Sequence, residues 1–151
     1  SFTVVTPKID GTNLTVTYKD GMIYCALTRG NGEFGDSVNH LISGIKGLPD
    51  YINNKKELVI TGECVTDKKV ENFRSYVSGA LGLKELSELK SRKIRFIAHD
   101  LFGIELDYTV RMDFLTELGF NTVLDSNFCN KYPQDGVVYR LDDYYVSQKV
   151  G

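Results

Sequence analysis

The sequence of 151 residues lacks any run of about 18 apolar residues, the length that a helix needs to cross a bilayer. Its first residues also lack the basic segment followed by an apolar stretch that marks a signal peptide. The hydrophobic fraction of 42% and the charged fraction of 25% are ordinary for a globular protein. We therefore expect one domain with its own core and no membrane association.

Cysteine and histidine are scarce. Three cysteines, an odd number without a Cys-x-x-Cys pair, predict neither a disulfide framework nor a zinc site and favour a reducing compartment. Cys25 and Cys64 lie in apolar, strand-like runs, so we interpret both as small core residues. His40 and His99 are the only histidines, which excludes a multi-histidine metal site, and we predict no metal-ligating residues.

An excess of positive charge is also missing, since the net charge is -2 and the pI is about 5.7. Phosphate contacts need clustered Lys and Arg, so a strongly basic, stand-alone nucleic-acid binder is disfavoured. A DNA-acting enzyme whose cationic surface is local, or lies on other domains, remains compatible with this charge.

Strand patterns outnumber helix patterns along the chain. Residues 14–18 alternate apolar and polar, and Asp20-Gly21 separates them from a second run at 22–27, which predicts a hairpin. Further strands are predicted at 2–5 running into Lys8, at 57–65, at 94–101, at 123–124, and at 137–141 after a turn at 134–136. Helices are predicted at 67–81 with Asp67 as N-cap, at 84–89, and at 109–118 closed by Gly119. A short helix or irregular segment is expected at 36–45.

Because the strands do not alternate regularly with helices, we predict an α+β fold with mostly antiparallel sheets flanked by helices. Two Asp-Gly pairs lie near strands, one in the string KIDG from Lys8 and one in DGVV from Asp135. A glycine-rich loop, TRGNGEFGD, spans residues 28–36. Glycines expose backbone N–H groups to an anion, and Arg29 can grip a phosphate. The loop is not a P-loop, because no Gly-Lys-Ser/Thr follows.

Taken in order, these segments resemble the adenylation (nucleotidyltransferase) domain of NAD-dependent DNA ligases. The strings that carry the resemblance are PKIDG from Pro7, TRGNG from Thr28, TGE from Thr61, NFR from Asn72, RFIAH from Arg95 and DGVV from Asp135. The family's loop reads TRGDG, so Asn31 is a single change. The resemblance covers nearly the whole chain, and it implies that residues 1–151 form an adenylation domain, either a fragment or a minimal core, with the nucleotidyltransferase fold.

The resemblance also implies roles for individual residues. Lys8 matches the catalytic lysine that attacks the AMP phosphorus and holds AMP as a phosphoramidate, for which its amine must be unprotonated. Asp10 matches a second catalytic residue, an aspartate that positions the lysine or a metal ion. The residues implied to bind the nucleotide are Thr6, Ile9, Arg29, Glu63, Arg74, His99, Val138 and Arg140.

Arg29 and Arg74 match arginines that meet ribose or phosphate groups, and Glu63 matches a glutamate near the ribose and the reacting phosphate. Val138 is expected to line the adenine pocket. His99 stands where the family usually stacks a tyrosine on adenine; the alternative reading is a buried structural histidine.

Besides Asn31 and His99, three positions depart from the family's pattern. Thr6 replaces a glutamate that reads the adenine amino group, so adenine selection is expected to be weaker or to rest on backbone carbonyls. Arg140 replaces a lysine and keeps its charge but not its shape. Gly82 replaces an arginine. The loops are short for the family, and the segments that capture nicotinamide mononucleotide and carry the final lysine motif are not in this sequence.

The implied function is that of a DNA ligase, in which Lys8 takes AMP from NAD and AMP passes to the 5′-phosphate of a nick. NAD and Mg²⁺ are the implied cofactors, with Mg²⁺ neutralising phosphate charge. The implied partners are nicked double-stranded DNA, NAD or AMP, and further ligase domains or a partner chain, in the cytoplasm of a bacterium or of a virus-infected host. Two alternatives stay open: an ATP-dependent polynucleotide or RNA ligase core, and a nucleotide-binding subunit that needs a partner chain.

Overall fold

A computed structural model describes residues 3–29 and 35–143. Within these ranges six strands carry the fold: β1 (Thr3–Ile9), β2 (Thr12–Lys19), β3 (Met22–Thr28), β4 (Leu58–Thr66), β5 (Ile94–Phe102) and β6 (Gln134–Leu141). The helices are a 3-10 helix (Asn39–Gly44), α1 (Phe73–Leu81), α2 (Leu86–Ser91), α3 (Tyr108–Glu117) and α4 (Ser126–Cys129). None of the helices in the described ranges is both long and apolar enough to cross a membrane.

The strands form two antiparallel sheets. One has four strands in the order β3-β2-β4-β5, and the other pairs β1 with β6. The predicted α+β class with mostly antiparallel sheets is confirmed. The core lies on the helix-covered face of the larger sheet, where α1 contacts β4 and α3 contacts β5.

Alternation along β2 explains why the larger sheet has one apolar and one polar face. Leu14, Val16 and Tyr18 are fully buried, whereas Thr15 and Thr17 point to the opposite face and are half-buried. Polar side chains at every second position therefore leave one face of this sheet able to line a polar cavity.

The predicted hairpin between β2 and β3 is confirmed. Asp20 has φ +52° and Gly21 has φ +85°, so both central residues adopt the left-handed conformation of a tight hairpin turn. The predicted closing glycine of α3 also adopts this conformation, since Gly119 has φ +107°.

Helix α1 is shorter than predicted. It begins at Phe73, and Asp67 is not its N-cap. The Asp67 carboxylate instead accepts hydrogen bonds from Arg95 Nη2 at 3.1 Å and Tyr132 Oη at 2.6 Å. This tertiary contact holds Asp67 against β5 and outweighs its local preference for a helix start, so residues 67–72 form an irregular connection.

Three further predictions were wrong. Residues 123–124 form a turn rather than a strand. The residue before them, Thr122, makes an isolated bridge to Ala98. The Asp135-Gly136 pair lies inside β6 rather than in a turn before it. Cys25 is half-buried on β3 and not a core residue, although Cys64 is fully buried as predicted. All three cysteines are free thiols.

A buried ion pair ties α3 to the end of β5. Arg111, only 3% exposed, donates from Nε to Asp100 Oδ1 at 3.1 Å and from Nη1 to the Leu106 carbonyl at 2.7 Å. A second cation, Arg140 Nη1 of β6, lies 3.8 Å from Asp100 Oδ2. One carboxylate thus joins α3, β5 and the smaller sheet.

We predict that Arg111→Met lowers the free energy of unfolding by about 3 kcal/mol, because it leaves the Asp100 carboxylate with one distant cation. Urea denaturation at neutral pH measures the change. Lys90→Met, which alters an exposed cation on α2, is the matched control and should change stability by less than about 0.5 kcal/mol. A loss below about 1 kcal/mol for Arg111→Met would show that the pair does not hold the helix.

Candidate active site

A cavity of about 300 Å³ lies between the two sheets. It receives side chains from β1, β2, β4, β5 and β6, and its volume is at the lower end of the range for small-molecule sites. Seven of the ten predicted site residues line it: Lys8, Ile9, Arg29, Glu63, His99, Val138 and Arg140.

The other three predicted residues, Thr6, Asp10 and Arg74, do not line this cavity but lie next to it through their contacts or in a neighbouring cavity. Thr6 lies under Arg140, whose Nε donates to Thr6 Oγ1 at 3.2 Å. Asp10 follows β1, and its Oδ1 lies 3.6 Å from Arg74 Nε. Arg74 lines a neighbouring cavity of about 480 Å³, which shares Asn13, Arg29 and Glu63 with the first. All ten residues are therefore grouped around one pair of adjoining cavities.

Lys8 stands at a β-bulge. Pro7 pairs with Val137 and Ile9 pairs with Gln134, so Lys8 alone faces the two residues Asp135 and Gly136. Gly136 has φ +143°, a conformation that favours glycine. The second Asp-Gly pair thus creates the irregularity that turns Lys8 into the cavity wall.

His99 also stands at a bulge. Thr61 of β4 pairs with Asp100 and Gly62 pairs with Ala98, which leaves His99 without a partner in the ladder. A bulge re-aims a side chain relative to regular alternation. The imidazole lies against the cavity, with Nδ1 3.0 Å from Thr61 Oγ1.

Gly11 allows the end of β1 to approach the larger sheet. A Cβ built on Gly11 would overlap the carbonyl oxygen of Cys64 on β4. The preceding residue is fixed as well, because Asp10 N donates to the Pro133 carbonyl at 2.9 Å. A larger residue at position 11 would push Lys8 and Asp10 away from Glu63.

Glu63 brings an unsatisfied carboxyl oxygen to the cavities. Its Oε2 is buried and has no hydrogen-bond partner within the described ranges. Burial raises the pKa of Glu63 to about 7, although Arg74 and Arg29 act in the opposite direction. Leaving such an atom unpaired costs about 1–3 kcal/mol, so Glu63 is suited to receive a hydroxyl donor from a ligand.

His99 is a neutral imidazole near pH 7. Burial lowers its pKa to about 4, and the charge of Arg140 acts in the same direction. Tyr108 Oη donates to the His99 carbonyl at 2.8 Å and so anchors the backbone at the bulge. The ring is half-buried in the cavity wall and is not a fully enclosed core histidine.

Arg29 ends the described segment that follows β3. The glycine-rich loop predicted to bind an anion includes residues 30–34, which lie outside the described residues. Its base is closed by Thr28 N, which donates to the Asp36 carbonyl at 2.9 Å. Arg29 is exposed and borders both cavities.

Four residues that line the cavity were not among the predicted site residues: Asn13, Thr15, Thr61 and Val123. The polar face of β2 contained a usable signal for Asn13 and Thr15, because both alternate with buried Leu14 and Val16. Val123 reaches the cavity from a turn, and no local pattern indicates this.

Metal ligands are sparse. Within residues 3–29 and 35–143, no group of three or more His, Cys, Asp or Glu side chains is arranged to hold a metal ion. A separate cleft of about 530 Å³ between the 67–73 connection and α4 contains none of the predicted site residues.

The fold and the cavity define an α+β protein with a cavity of about 300 Å³ between two antiparallel sheets. A family model described as "NAD-dependent DNA ligase adenylation domain" matches residues 1–139. The chain belongs to this family.

Proteins described as DNA ligase are similar along nearly the whole chain. The protein of Borreliella afzelii is 29% identical over 186 positions, which cover 97% of this chain and 28% of the relative. That of Brachyspira hyodysenteriae is 28% identical over 183 positions, covering 95% and 28%. A solved structure described as "Pmar-Lig_Pre." superposes with a TM-score of 0.59 at 13% identity, covering 92% of this chain and 38% of that one, and supports the fold alone.

This chain spans little more than a quarter of the length of these relatives. The 186 aligned positions exceed the 151 residues of the chain, so the Borreliella afzelii protein has at least 35 positions without a counterpart here.

We predict that Glu63→Gln stabilises the protein more at pH 8 than at pH 4.5. Since the folded-state pKa of Glu63 is raised to about 7, the folded chain binds more protons than the unfolded chain between pH 4.5 and 7. Stability from this group therefore falls as pH rises through that window, and the neutral amide removes the fall.

Thermal unfolding of both proteins at the two pH values measures this difference. Glu105→Gln, which removes an exposed carboxyl, controls for the loss of one charge. His99, whose pKa is lowered, contributes to the pH dependence of stability with the opposite sign. Because this contribution is the same in the wild type and in both variants, it cancels when each variant is compared with the wild type. An equal difference in melting temperature at pH 4.5 and pH 8 would contradict the assignment.

Proposed function

We propose that this chain is the adenylation core of an NAD-dependent DNA ligase and that Lys8 is its nucleophile. The observation that carries the proposal is the grouping of all ten predicted residues around two adjoining cavities, with Lys8 turned into the wall by a bulge. Family membership supports NAD as the source of AMP.

In the first step the unprotonated Nζ of Lys8 attacks the AMP phosphorus of NAD. A P–N bond forms, the P–O bond to nicotinamide mononucleotide breaks, and this group leaves with the electron pair while the amine proton passes to solvent. AMP then passes to the 5′-phosphate of a nick, and the 3′-hydroxyl displaces it as the strand is sealed. The transfer to the 5′-phosphate breaks the P–N bond and forms a P–O bond in its place, and the amine of Lys8 takes a proton from solvent and so returns to its starting form.

Arg29 and Arg74 are placed to stabilise charge at phosphorus. Both border the cavity that adjoins Lys8, and a guanidinium can donate two parallel hydrogen bonds to a phosphate. Asp10, two residues after the nucleophile, lies 3.6 Å from Arg74 Nε and can orient this donor. Asp10 thus acts as a positioning residue through Arg74.

Glu63 and His99 fit the two halves of a nucleoside. The unpaired Oε2 of Glu63 can accept a ribose hydroxyl, while the neutral ring of His99 and the side chain of Val138 both line the cavity and can contact a planar base. Ile9 adds a further apolar wall from β1.

Mg²⁺ is part of the proposal as a partner of the substrate phosphates. The described residues, 3–29 and 35–143, contain no three-ligand cluster, but a single carboxylate such as Glu63, together with phosphate oxygens and water, fits how Mg²⁺ is usually held. Bound there, Mg²⁺ would neutralise phosphate charge. Nicked double-stranded DNA, further ligase domains and a cytoplasmic location belong to the same proposal.

We predict that the complete gene product, incubated with NAD and Mg²⁺, gains the mass of AMP and that Lys8→Ala abolishes the gain. Intact mass spectrometry measures the adduct. Lys90→Ala, which changes an exposed lysine on α2, should form the adduct at the wild-type rate. No AMP adduct from either NAD or ATP in the wild-type protein would refute the proposed function.

The same assay separates the two remaining alternatives. An adduct formed from ATP but not from NAD would indicate an ATP-dependent ligase core. An adduct formed only after a second polypeptide from the source organism is added would indicate a nucleotide-binding subunit. The family match favours NAD as the donor, so we expect the adduct from NAD alone.

A further inference from the structure

We propose that Arg140 reads the base edge in this cavity, so that a purine with an oxygen at position 6 is accepted about as readily as adenine. Position 6 of the ring carries an amino donor in adenine and a carbonyl acceptor in guanine and hypoxanthine. This inference rests on the proposed function and names the class of base that the site takes.

The first supporting observation is the pairing of Thr6 with Arg140. Thr6 is 1% exposed and faces Val138 across the β1–β6 ladder, and Arg140 follows two residues later on the same face. The Thr6 hydroxyl already accepts from Arg140 Nε at 3.2 Å. Position 6 therefore offers a ligand only a hydroxyl that already accepts one hydrogen bond, and it offers no carboxylate.

The second observation is that Arg140 is held in place from three sides. Besides Thr6, it lies 4.7 Å from the centre of the Tyr108 ring and 3.8 Å from Asp100 Oδ2. Its side chain is only 20% exposed and lines the cavity. The Asp100 distance is too long for a hydrogen bond, so the terminal nitrogens keep donors for a ligand.

The arrangement of the two cavities indicates which end the base occupies. Arg29 and Glu63 lie where the cavities join, which suits phosphate and ribose. The apolar and planar walls of Ile9, Val123, Val138 and His99 belong to the smaller cavity alone. A base stacked there lies beside Arg140.

Hydrogen-bond chemistry then sets the preference. A guanidinium has only donors, and its best match on a purine is the pair of acceptors O6 and N7 of guanine. An adenine amino group facing it would place donor against donor. Asp100 is not among the residues that line this cavity: its Oδ1 accepts from Arg111 Nε, and its Oδ2 faces Arg140 Nη1 at 3.8 Å. The ring of His99 contacts the Thr61 hydroxyl. Nothing at this end of the described cavity selects the amino group by charge.

The test measures Lys8 loading from NAD and from nicotinamide guanine dinucleotide with the complete gene product and Mg²⁺. Intact mass resolves the AMP and GMP adducts, which differ by one oxygen atom. We expect initial rates with the two donors to agree within about tenfold. A preference for NAD above about 100-fold would overturn the inference and leave the proposed function intact, whereas no adduct from either donor would refute both.

Variants test the role of Arg140 directly. Arg140→Met keeps the length of the side chain and removes its donors, so the ratio of GMP to AMP loading should fall by about tenfold or more. Thr6→Val should lower this ratio relative to Thr6→Ser, because only serine keeps the hydroxyl that holds Arg140. The Thr6 pair also decides the question if Arg140→Met fails to fold. An unchanged ratio in both comparisons would overturn the inference.

Discussion

The polar face of the larger sheet and one face of the smaller sheet meet across one small cavity, and the rest of the site depends on that meeting. The larger sheet buries Leu14 and Val16 on one side and therefore presents Thr15 and Asn13 on the other. Regular alternation would give a flat polar surface. A bulge in each sheet, one at Lys8 and one at His99, interrupts the regular alternation of side chains. The nucleophile and the planar ring therefore face the same cavity.

Electrostatics connects this geometry to the core. The carboxylate of Asp100 lies between Arg111 on α3 and Arg140 on β6, one residue beyond the bulge that carries His99. The same pair of sheets buries Glu63 and His99 enough to push the pKa of the acid up and that of the base down. Near pH 7 His99 is therefore neutral and Glu63 is partly protonated, which costs less in a partly buried site than keeping two full charges. The Asp100 carboxylate, which holds α3 to β5 through Arg111, thus also faces Arg140 in the cavity wall.

The sequence predicted the fold class because β2, β3 and the Asp20-Gly21 turn follow local rules. It failed at Asp67 and at residues 123–124, where tertiary contacts with Arg95, Tyr132 and Ala98 decide the backbone. The candidate residues came from the resemblance, and their grouping could not be derived from spacing, since both bulges are set by strand pairing across distant parts of the chain. The contact between Thr6 and Arg140, 134 residues apart, had no local signal at all.

The central claim is that Lys8, and no other lysine, receives AMP in the cavity between the sheets. The most direct measurement is peptide mapping by tandem mass spectrometry of the protein after incubation with NAD and Mg²⁺, under conditions that preserve the P–N bond. We predict AMP on the peptide that contains Lys8 and on no other peptide. AMP on Lys68, Lys69 or Lys131, which line the separate cleft, with Lys8 unmodified, would contradict it.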